Sequence, residues 1–316
     1  MKFLENLIKK PIVFQRVIGL KLEQLVLLSK RIEPLWQAEE LKRLNRSGRK
    51  RAIGAGHPYA FITMQEKITA VLIYYKSYLT QEFLGIILGV NQSAISRLVN
   101  KMMPLIEEAA DPNLKLFLNE VKEVVEKEKI NTLEKLIEKY PDLKDISTDA
   151  TEQECFRSSD NETQKEFYSG KSHQHAVKAQ LTVSNITGRI LDISDTYSGK
   201  THDKAIIDNE KTVEKFPKFV SHRFDLGYQG LVKEYPDTYV ILPQKKPIKK
   251  ELSSFAKELN KINSRYRVKV EHALSRLKKF RILGQLFRNP IKSHNVVFRG
   301  VAALLNFKLD CAMNIM

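Results

Sequence analysis

The chain has 316 residues, enough for about two domains with a sizeable core. A formal net charge of +16 and a pI of about 9.6 favour a polyanionic partner, either nucleic acid or an anionic membrane surface. A hydrophobic content of 42% excludes a disordered basic tail, and two cysteines fit neither a disulfide framework nor a zinc site. No apolar run approaches the roughly 18 residues that would span a membrane. We therefore expect a soluble protein of the reducing cytoplasm, with no membrane partner.

Residues 1–63 are predicted to be a helical segment followed by a basic arm. Apolar and charged positions alternate at helical spacing in its first half. In the stretch 42–51 all six charged residues are basic, and they include Arg49, Lys50 and Arg51. Two interpretations stay open: a solvated loop, or an arm that contacts DNA phosphates through salt-sensitive interactions.

Residues 64–103 are predicted to form a helix-turn-helix. A short helix begins after Thr80, a good N-cap, and the tight turn 89–91 leads into a polar-faced helix that should stop before Pro104. The alternative is an ordinary three-helix bundle; on a chain of this charge we favour DNA binding. The side chains of the last helix that could contact base edges are Gln92, Ser93, Ser96, Arg97 and Asn100.

A helical connector over 104–141, with charges alternating in sign, is predicted to precede a β-rich domain over 142–316. Strands are expected over 143–149, 175–184, 189–194, 218–224 and 239–242, with helices between and after them. By count and order of elements, we expect an α/β domain of ribonuclease-H type. Its sheet would be mixed and five-stranded, with flanking helices.

Three acidic residues are candidates for one site. Asp149 and Asp225 each end a predicted strand, and the carboxyl ends of neighbouring parallel strands meet at the edge where ligands bind. Glu271 comes from an amphipathic helix that could lie across that edge. Converging carboxylates repel one another unless a divalent cation neutralises them, and Mg²⁺ prefers oxygen ligands. Singly, each aspartate is more simply a turn former; together they favour an in-line displacement at phosphorus assisted by two Mg²⁺ ions, with Mn²⁺ as a substitute.

Basic residues surround these candidates. Residues 244–292 contain 15 Lys and Arg against 3 Asp and Glu. Arg267 and Lys278 lie on one helical row with Glu271, and we interpret them as contacts to a DNA strand rather than as helix ion pairs. Further predicted phosphate contacts are Lys171, His175 and Lys178. For His202 and Asp203, support of the site and an N-cap are both open, and the cap is favoured.

From Gln65 to Phe307 the chain resembles the Asp-Asp-Glu transposases of the bacterial insertion-sequence-5 type and their Harbinger relatives. The matching motifs are Asp149-Ala-Thr-Glu152, Tyr168-Ser-Gly-Lys171, Gly199-Lys-Thr-His-Asp203, Asp225-Leu-Gly-Tyr-Gln-Gly230 and Arg267-x3-Glu271-x6-Lys278. The last motif is the most specific, although Ser264 stands where the family has Tyr. The resemblance implies that Asp149, Asp225 and Glu271 are metal ligands. It also implies action at terminal inverted repeats, with cleavage followed by strand transfer.

Three functions remain open, and the first is the one that the resemblance implies. The first is an active transposase in the bacterial nucleoid, acting as a homodimer or higher oligomer on the double-stranded DNA of its inverted repeats and target. The second is a related nuclease without strand transfer, and the third is a non-catalytic DNA-binding derivative. The intact acidic set disfavours the third. The first two require the same metal site, so the sequence does not separate them.

Overall fold

The computed structural model describes residues 2–45, 47–48, 60–247 and 250–313. The predicted arm residues Arg49, Lys50 and Arg51 lie outside these ranges. The chain divides into two compact units: a helical unit of Met1–Pro112, Lys278–Gln285 and Val296–Met316, and a sheet unit of Asn113–Leu277 and Leu286–Asn295. The bounds of these units differ from those of the four predicted segments. Most of the predicted connector belongs to the sheet unit, and most of the C-terminal helix belongs to the helical unit.

The helices are, in chain order, α1 (Lys2–Ile8), α2 (Pro11–Ile18), α3 (Leu22–Leu44), α4 (Met64–Ser77), α5 (Gln81–Leu88), α6 (Gln92–Ala110), α7 (Phe117–Lys127), α8 (Leu133–Lys139), α9 (Asn161–Phe167), α10 (Asp203–Glu210), α11 (Leu231–Glu234), α12 (Ser254–Lys278), α13 (Arg281–Gly284) and α14 (His294–Met313). The strands are β1 (Asp145–Glu154), β2 (Tyr168–Ser169), β3 (Gln174–Ser184), β4 (Ile190–Ile193), β5 (Tyr197–Ser198), β6 (Ser221–Arg223) and β7 (Val240–Ile241). No described helix is long and apolar enough to cross a membrane.

Helices α4, α5 and α6 confirm the predicted helix-turn-helix. The Thr80 hydroxyl accepts a hydrogen bond from the Phe83 amide and so caps α5. The turn needs two glycines for different reasons. Gly89 adopts φ +69°, and a Cβ on Gly85 would lie 2.6 Å from the Val90 carbonyl oxygen.

The predicted stop before Pro104 is wrong, because α6 continues through this proline to Ala110. Proline removes one backbone donor and crowds the preceding turn, which costs on the order of 3 kcal/mol in a helix interior. The residues after it are nevertheless buried: Leu105, Ile106, Ala109 and Ala110. Their burial holds the last two turns in place, a tertiary effect that overrides the local signal.

Most of the predicted connector, from Asn113 onward, belongs to the sheet unit. In α7, Leu118 and Val121 belong to a buried cluster that also contains Leu136 of α8 and Ile146 of β1. Their i, i+3 spacing puts them on one helical face. The connector is therefore broken into two helices that help to cover the sheet, rather than one solvated helix.

The sheet has the order β2-β3-β1-β6-β7, with β4 and β5 also pairing with β3. β1 is antiparallel to β3 and parallel to β6, and β6 is parallel to β7, so the sheet is mixed as predicted. The five predicted strands are present in order. The short strands β2 and β5 were not predicted, since two residues carry no periodic signal.

Candidate active site

Asp149 and Asp225 occupy equivalent places beside the pair of parallel strands. The last paired rung between β1 and β6 joins Ser147 to Arg223, and each aspartate follows two residues later. Asp149 was predicted to end its strand; this is wrong, because β1 runs on to Glu154 through its pairing with β3. Strand β6, in contrast, does end next to its aspartate. Asp149 and Asp225 therefore still lie side by side, just beyond the last rung between the two parallel strands.

Local hydrogen bonds orient both carboxylates. Asp149 Oδ1 accepts from the Ala150 amide at 2.9 Å. Asp225 Oδ1 accepts from the Leu226 amide at 2.7 Å, at the start of a short 3₁₀ turn over Leu226–Tyr228. Each carboxylate keeps a second oxygen that these backbone contacts do not use.

Arg267 of α12 bridges the two aspartates. Its Nη1 lies 3.1 Å from Asp225 Oδ1 and its Nη2 lies 3.6 Å from Asp149 Oδ2. The helix packs through Val270, Ala273 and Leu277, which leaves Arg267 at the edge of the buried face. The Arg267 side chain is only 11% exposed and that of Asp149 is 23% exposed, so this ion pair is largely shielded from solvent, whereas Asp225 is half-exposed.

Burial raises the pKa of Asp149 to about 6. The Arg267 charge and the Ala150 amide act in the opposite direction, whereas the charges of Asp225 and Asp203 raise this pKa further. The single guanidinium therefore only partly offsets the cost of burying the Asp149 charge. An under-neutralised set of carboxylate oxygens fits a hard divalent cation such as Mg²⁺ or Mn²⁺.

Glu271 lies one helical turn after Arg267 on α12 and is exposed. Within the part of the chain that the structure describes, no three His, Cys, Asp or Glu side chains form a group that could hold a metal ion. Convergence of Glu271 with the two aspartates thus stays a prediction. Lys278, the last residue of α12, is also exposed.

The predicted phosphate contacts differ in their surroundings. Lys171 is exposed, and the half-buried ring of His175 packs edge-on against Tyr168, with 5.7 Å between centroids. Lys178 is buried and interacts with Glu152, Asp203 and the Thr201 carbonyl oxygen. Its ammonium is therefore engaged by protein oxygens in this structure, and a phosphate contact of Lys178 stays a prediction.

His202 precedes α10 at the N-cap position but makes no side-chain capping hydrogen bond. Asp203 is the first helical residue, and its carboxylate accepts from Lys178 at 3.2 Å. His202 therefore occupies the N-cap position without capping α10 through its side chain, and the side chain of Asp203 pairs with Lys178 instead. The sequence does not predict this partner of Asp203, because Lys178 lies 25 residues earlier in the chain.

A buried polar row next to the aspartates was not predicted from the sequence. His222 Nε2 lies 2.6 Å from Thr148 Oγ1, which lies 2.6 Å from Thr182 Oγ1. Burial lowers the pKa of His222 to about 3, so the ring is neutral and joins β6 to β1 and β3 by hydrogen bonds. A histidine in the sequence His-Arg-Phe of an expected strand gave no signal of this contact.

The helix-turn-helix exposes most of the predicted base contacts. Gln92, Ser93, Arg97 and Asn100 are exposed, and Ser96 is half-buried. Arg97 Nε donates to the Ser93 carbonyl oxygen at 3.0 Å, and Gln92 donates to Gln81 at 3.0 Å. The first contact lies along α6 and the second joins α6 to α5. The exposed side chains form a polar face at the N-terminal end of α6.

Paired aspartates beside adjacent parallel strands, in a chain that also carries a helix-turn-helix, are typical of an enzyme that acts on DNA. Residues 148–306 match the family described as "DDE superfamily endonuclease", and residues 61–112 match its helix-turn-helix. The chain belongs to the DDE superfamily of endonucleases.

A "probable transposase for insertion sequence element IS702" from Microchaete diplosiphon is 29% identical over 248 residues, covering 78% of this chain and 82% of that protein. Among solved structures, the chain is similar to "Mos1 transposase paired-end complex with left transposon end" at 10% identity and a TM-score of 0.23, over 88% of this chain and 86% of that chain. The "mariner Mos1 paired end complex with Mg" gives 13% identity and a TM-score of 0.22, over 88% and 85%. Structural similarity at these TM-scores supports no conclusion about the geometry of the site.

Proposed function

We propose that this chain is the transposase of a bacterial mobile element. It binds the element's terminal inverted repeats through the helix-turn-helix, cleaves the DNA at their ends and joins those ends to target DNA. Because two ends must be processed together, it acts as a homodimer or a higher oligomer on double-stranded DNA. It works in the cytoplasm, at the nucleoid.

One observation carries the proposal: Asp149 and Asp225 lie at equivalent register positions and share the guanidinium of Arg267. Two acids with one cation between them form a site that accepts further positive charge. The helix that supplies Arg267 also carries Glu271 one turn later. Asp149, Asp225 and Glu271 would hold two Mg²⁺ ions, which Mn²⁺ could replace.

When bound, the metal ions would activate the attacking water or 3′-hydroxyl and stabilise the leaving oxygen. The chain's own residues position the substrate. Arg267, already at the aspartates, and Lys278, at the end of the same helix, hold the scissile strand against the acidic edge. Lys171 and His175 contact phosphates farther along the strand, and Lys178 is a candidate for the same role.

Sequence preference comes from the polar face of α6. Arg97 and Asn100 have the donors and acceptors that read base edges in the major groove, and Gln92, Ser93 and Ser96 add shorter contacts. The arm residues Arg49, Lys50 and Arg51 contribute affinity that does not depend on sequence. Specificity and chemistry thus reside in different parts of the chain.

The test uses linear DNA carrying the inverted repeats that flank the gene, incubated with the full chain and Mg²⁺. We expect cuts at the repeat ends, followed by insertion of the cut ends into a target plasmid. Cleavage without insertion would identify a nuclease that lacks strand transfer. Specific binding with no cleavage in Mg²⁺ or Mn²⁺ would contradict the proposed activity.

A further inference from the structure

Lys178 is a buried ammonium that joins Glu152 and Asp203, two carboxylates to which the proposed reaction assigns no role. Its side chain is 7% exposed, and Nζ lies 3.1 Å from Glu152 Oε1 and 3.2 Å from Asp203 Oδ1. Nζ also donates to the Thr201 carbonyl oxygen at 2.9 Å. Buried ion pairs often add no stability over apolar groups of the same size, so stability alone does not account for this network.

The Glu152 side of the network is an anchor. Glu152 lies opposite Lys178 in the register of β1 and β3. Its Oε2 accepts from Ser169 Oγ at 2.9 Å and from Ser172 Oγ at 2.8 Å. Because Ser169 lies in β2 and Ser172 in the turn between β2 and β3, these contacts fix the Glu152 carboxylate, which in turn holds the Lys178 ammonium in one place.

The Asp203 side is tied to both catalytic aspartates. The Asp203 carbonyl oxygen accepts from Gln180 Nε2 at 2.6 Å, and the same amide nitrogen lies 3.1 Å from the Tyr228 hydroxyl. Gln180 is opposite the residue after Asp149, and Tyr228 is three residues after Asp225. One buried amide therefore joins the start of α10 to the segments that carry both aspartates.

The charges in this region leave a negative excess. One ammonium faces two carboxylates, Glu152 and Asp203. The charge of Asp203 is among those that act on Asp149 and on the buried Tyr228 hydroxyl. A further negative charge close to a pair of carboxylates increases their attraction for a cation.

We propose that Asp203 is a positioning carboxylate of the catalytic centre. Lys178 and Gln180 hold it beside the aspartates, and its charge strengthens divalent-cation binding at Asp149 and Asp225 without Asp203 being a ligand. The inference rests on the proposed metal-dependent function. It gives the Gly199-Lys-Thr-His-Asp203 motif a role: to present a carboxylate at the start of α10.

The experiment measures Mn²⁺ binding to the full chain without DNA, by titration calorimetry. Asp203→Asn removes the charge and keeps the oxygen that accepts from Lys178. We expect its Mn²⁺ affinity to fall at least about tenfold, equivalent to about 1.4 kcal/mol. The matched control is Asp208→Asn, a partly exposed carboxylate on the same helix that pairs with Lys204. A surface change of this kind should leave the affinity within about twofold.

A second variant separates charge from packing. Asp203→Glu keeps the charge and should retain most of the affinity, so a loss as large as that of Asp203→Asn would overturn the proposal. An unchanged affinity in Asp203→Asn would overturn it as well, and so would complete loss of binding, which would make Asp203 a ligand. If the parent chain binds no Mn²⁺, or if Asp149→Asn leaves binding intact, the proposed function fails instead.

Discussion

The helix-turn-helix and the acidic edge of the sheet are built in different ways. The first is contiguous: Thr80 caps α5, Gly89 makes the turn, and α6 presents its polar face within about thirty residues. The second is assembled from distant positions, since Arg267 reaches Asp149 and Asp225 from 118 and 42 residues away. Changes in the first should therefore alter which DNA is bound, and changes in the second should alter what happens to bound DNA.

The largest expected effect is the loss of cleavage in Asp149→Ala, Asp225→Ala or Glu271→Ala, because each removes a proposed metal ligand. DNA binding should remain close to that of the parent chain, since none of the three is a phosphate contact. Nicking and electrophoretic shift assays on the same preparations measure both quantities. A variant that still cuts at the parent rate in Mg²⁺ would remove that residue from the site.

Arg97→Ala should relax sequence preference by about 1–3 kcal/mol, because it removes a base-edge contact of the recognition helix. Competition between specific and random DNA measures the ratio of the two affinities. The comparison variant changes Arg49, Lys50 and Arg51 together to alanine and should weaken binding to all sequences alike, with a shallower salt dependence. A selective loss from the triple change alone would exchange the two roles.

Arg267→Gln and Lys278→Gln should each lower the single-turnover cleavage rate at least about tenfold, or roughly 1.4 kcal/mol of barrier. The reason is misplacement of the scissile strand, and melting temperatures should barely move. Saturating DNA and Mg²⁺ exclude a binding effect. Unchanged rates with a lower melting point would instead make both residues structural.

The affinity for Mn²⁺ should fall about tenfold from pH 7 to pH 5, since the cation requires ionised Asp149, whose pKa is about 6. The stability of the cation-free chain should change with pH in the opposite direction. The folded-state pKa lies above the unfolded value of about 3.9, so the contribution of Asp149 to stability falls as pH rises from about 4 to 6. Calorimetric titration at each pH measures the Mn²⁺ affinity, and chemical denaturation at each pH measures the stability. The control is Asp149→Asn, which should remove both pH dependences.

Local chemistry made much of the molecule predictable. The Thr80 cap, the tight turn and the helical spacing predicted α5 and the start of α6. Alternating apolar residues predicted the main strands and their order, and the predicted strand ends picked out Asp149 and Asp225 as a pair. The last residue of α6 was mispredicted, because the local signal of Pro104 is weaker than the burial of the residues after it.

The sequence by itself determined the helix-turn-helix, the order of strands around the two aspartates and the strongly basic surroundings, because these depend on near neighbours, periodicity and charge. Only the tertiary structure decided that β1 continues past Asp149, that Arg267 bridges the aspartates and that Lys178 is buried against Glu152 and Asp203. Each of these depends on strand register or on contacts between residues far apart in the chain. A lysine has the same sequence signal whether its ammonium meets solvent, a phosphate or a buried carboxylate; the fold determines which partner lies within reach.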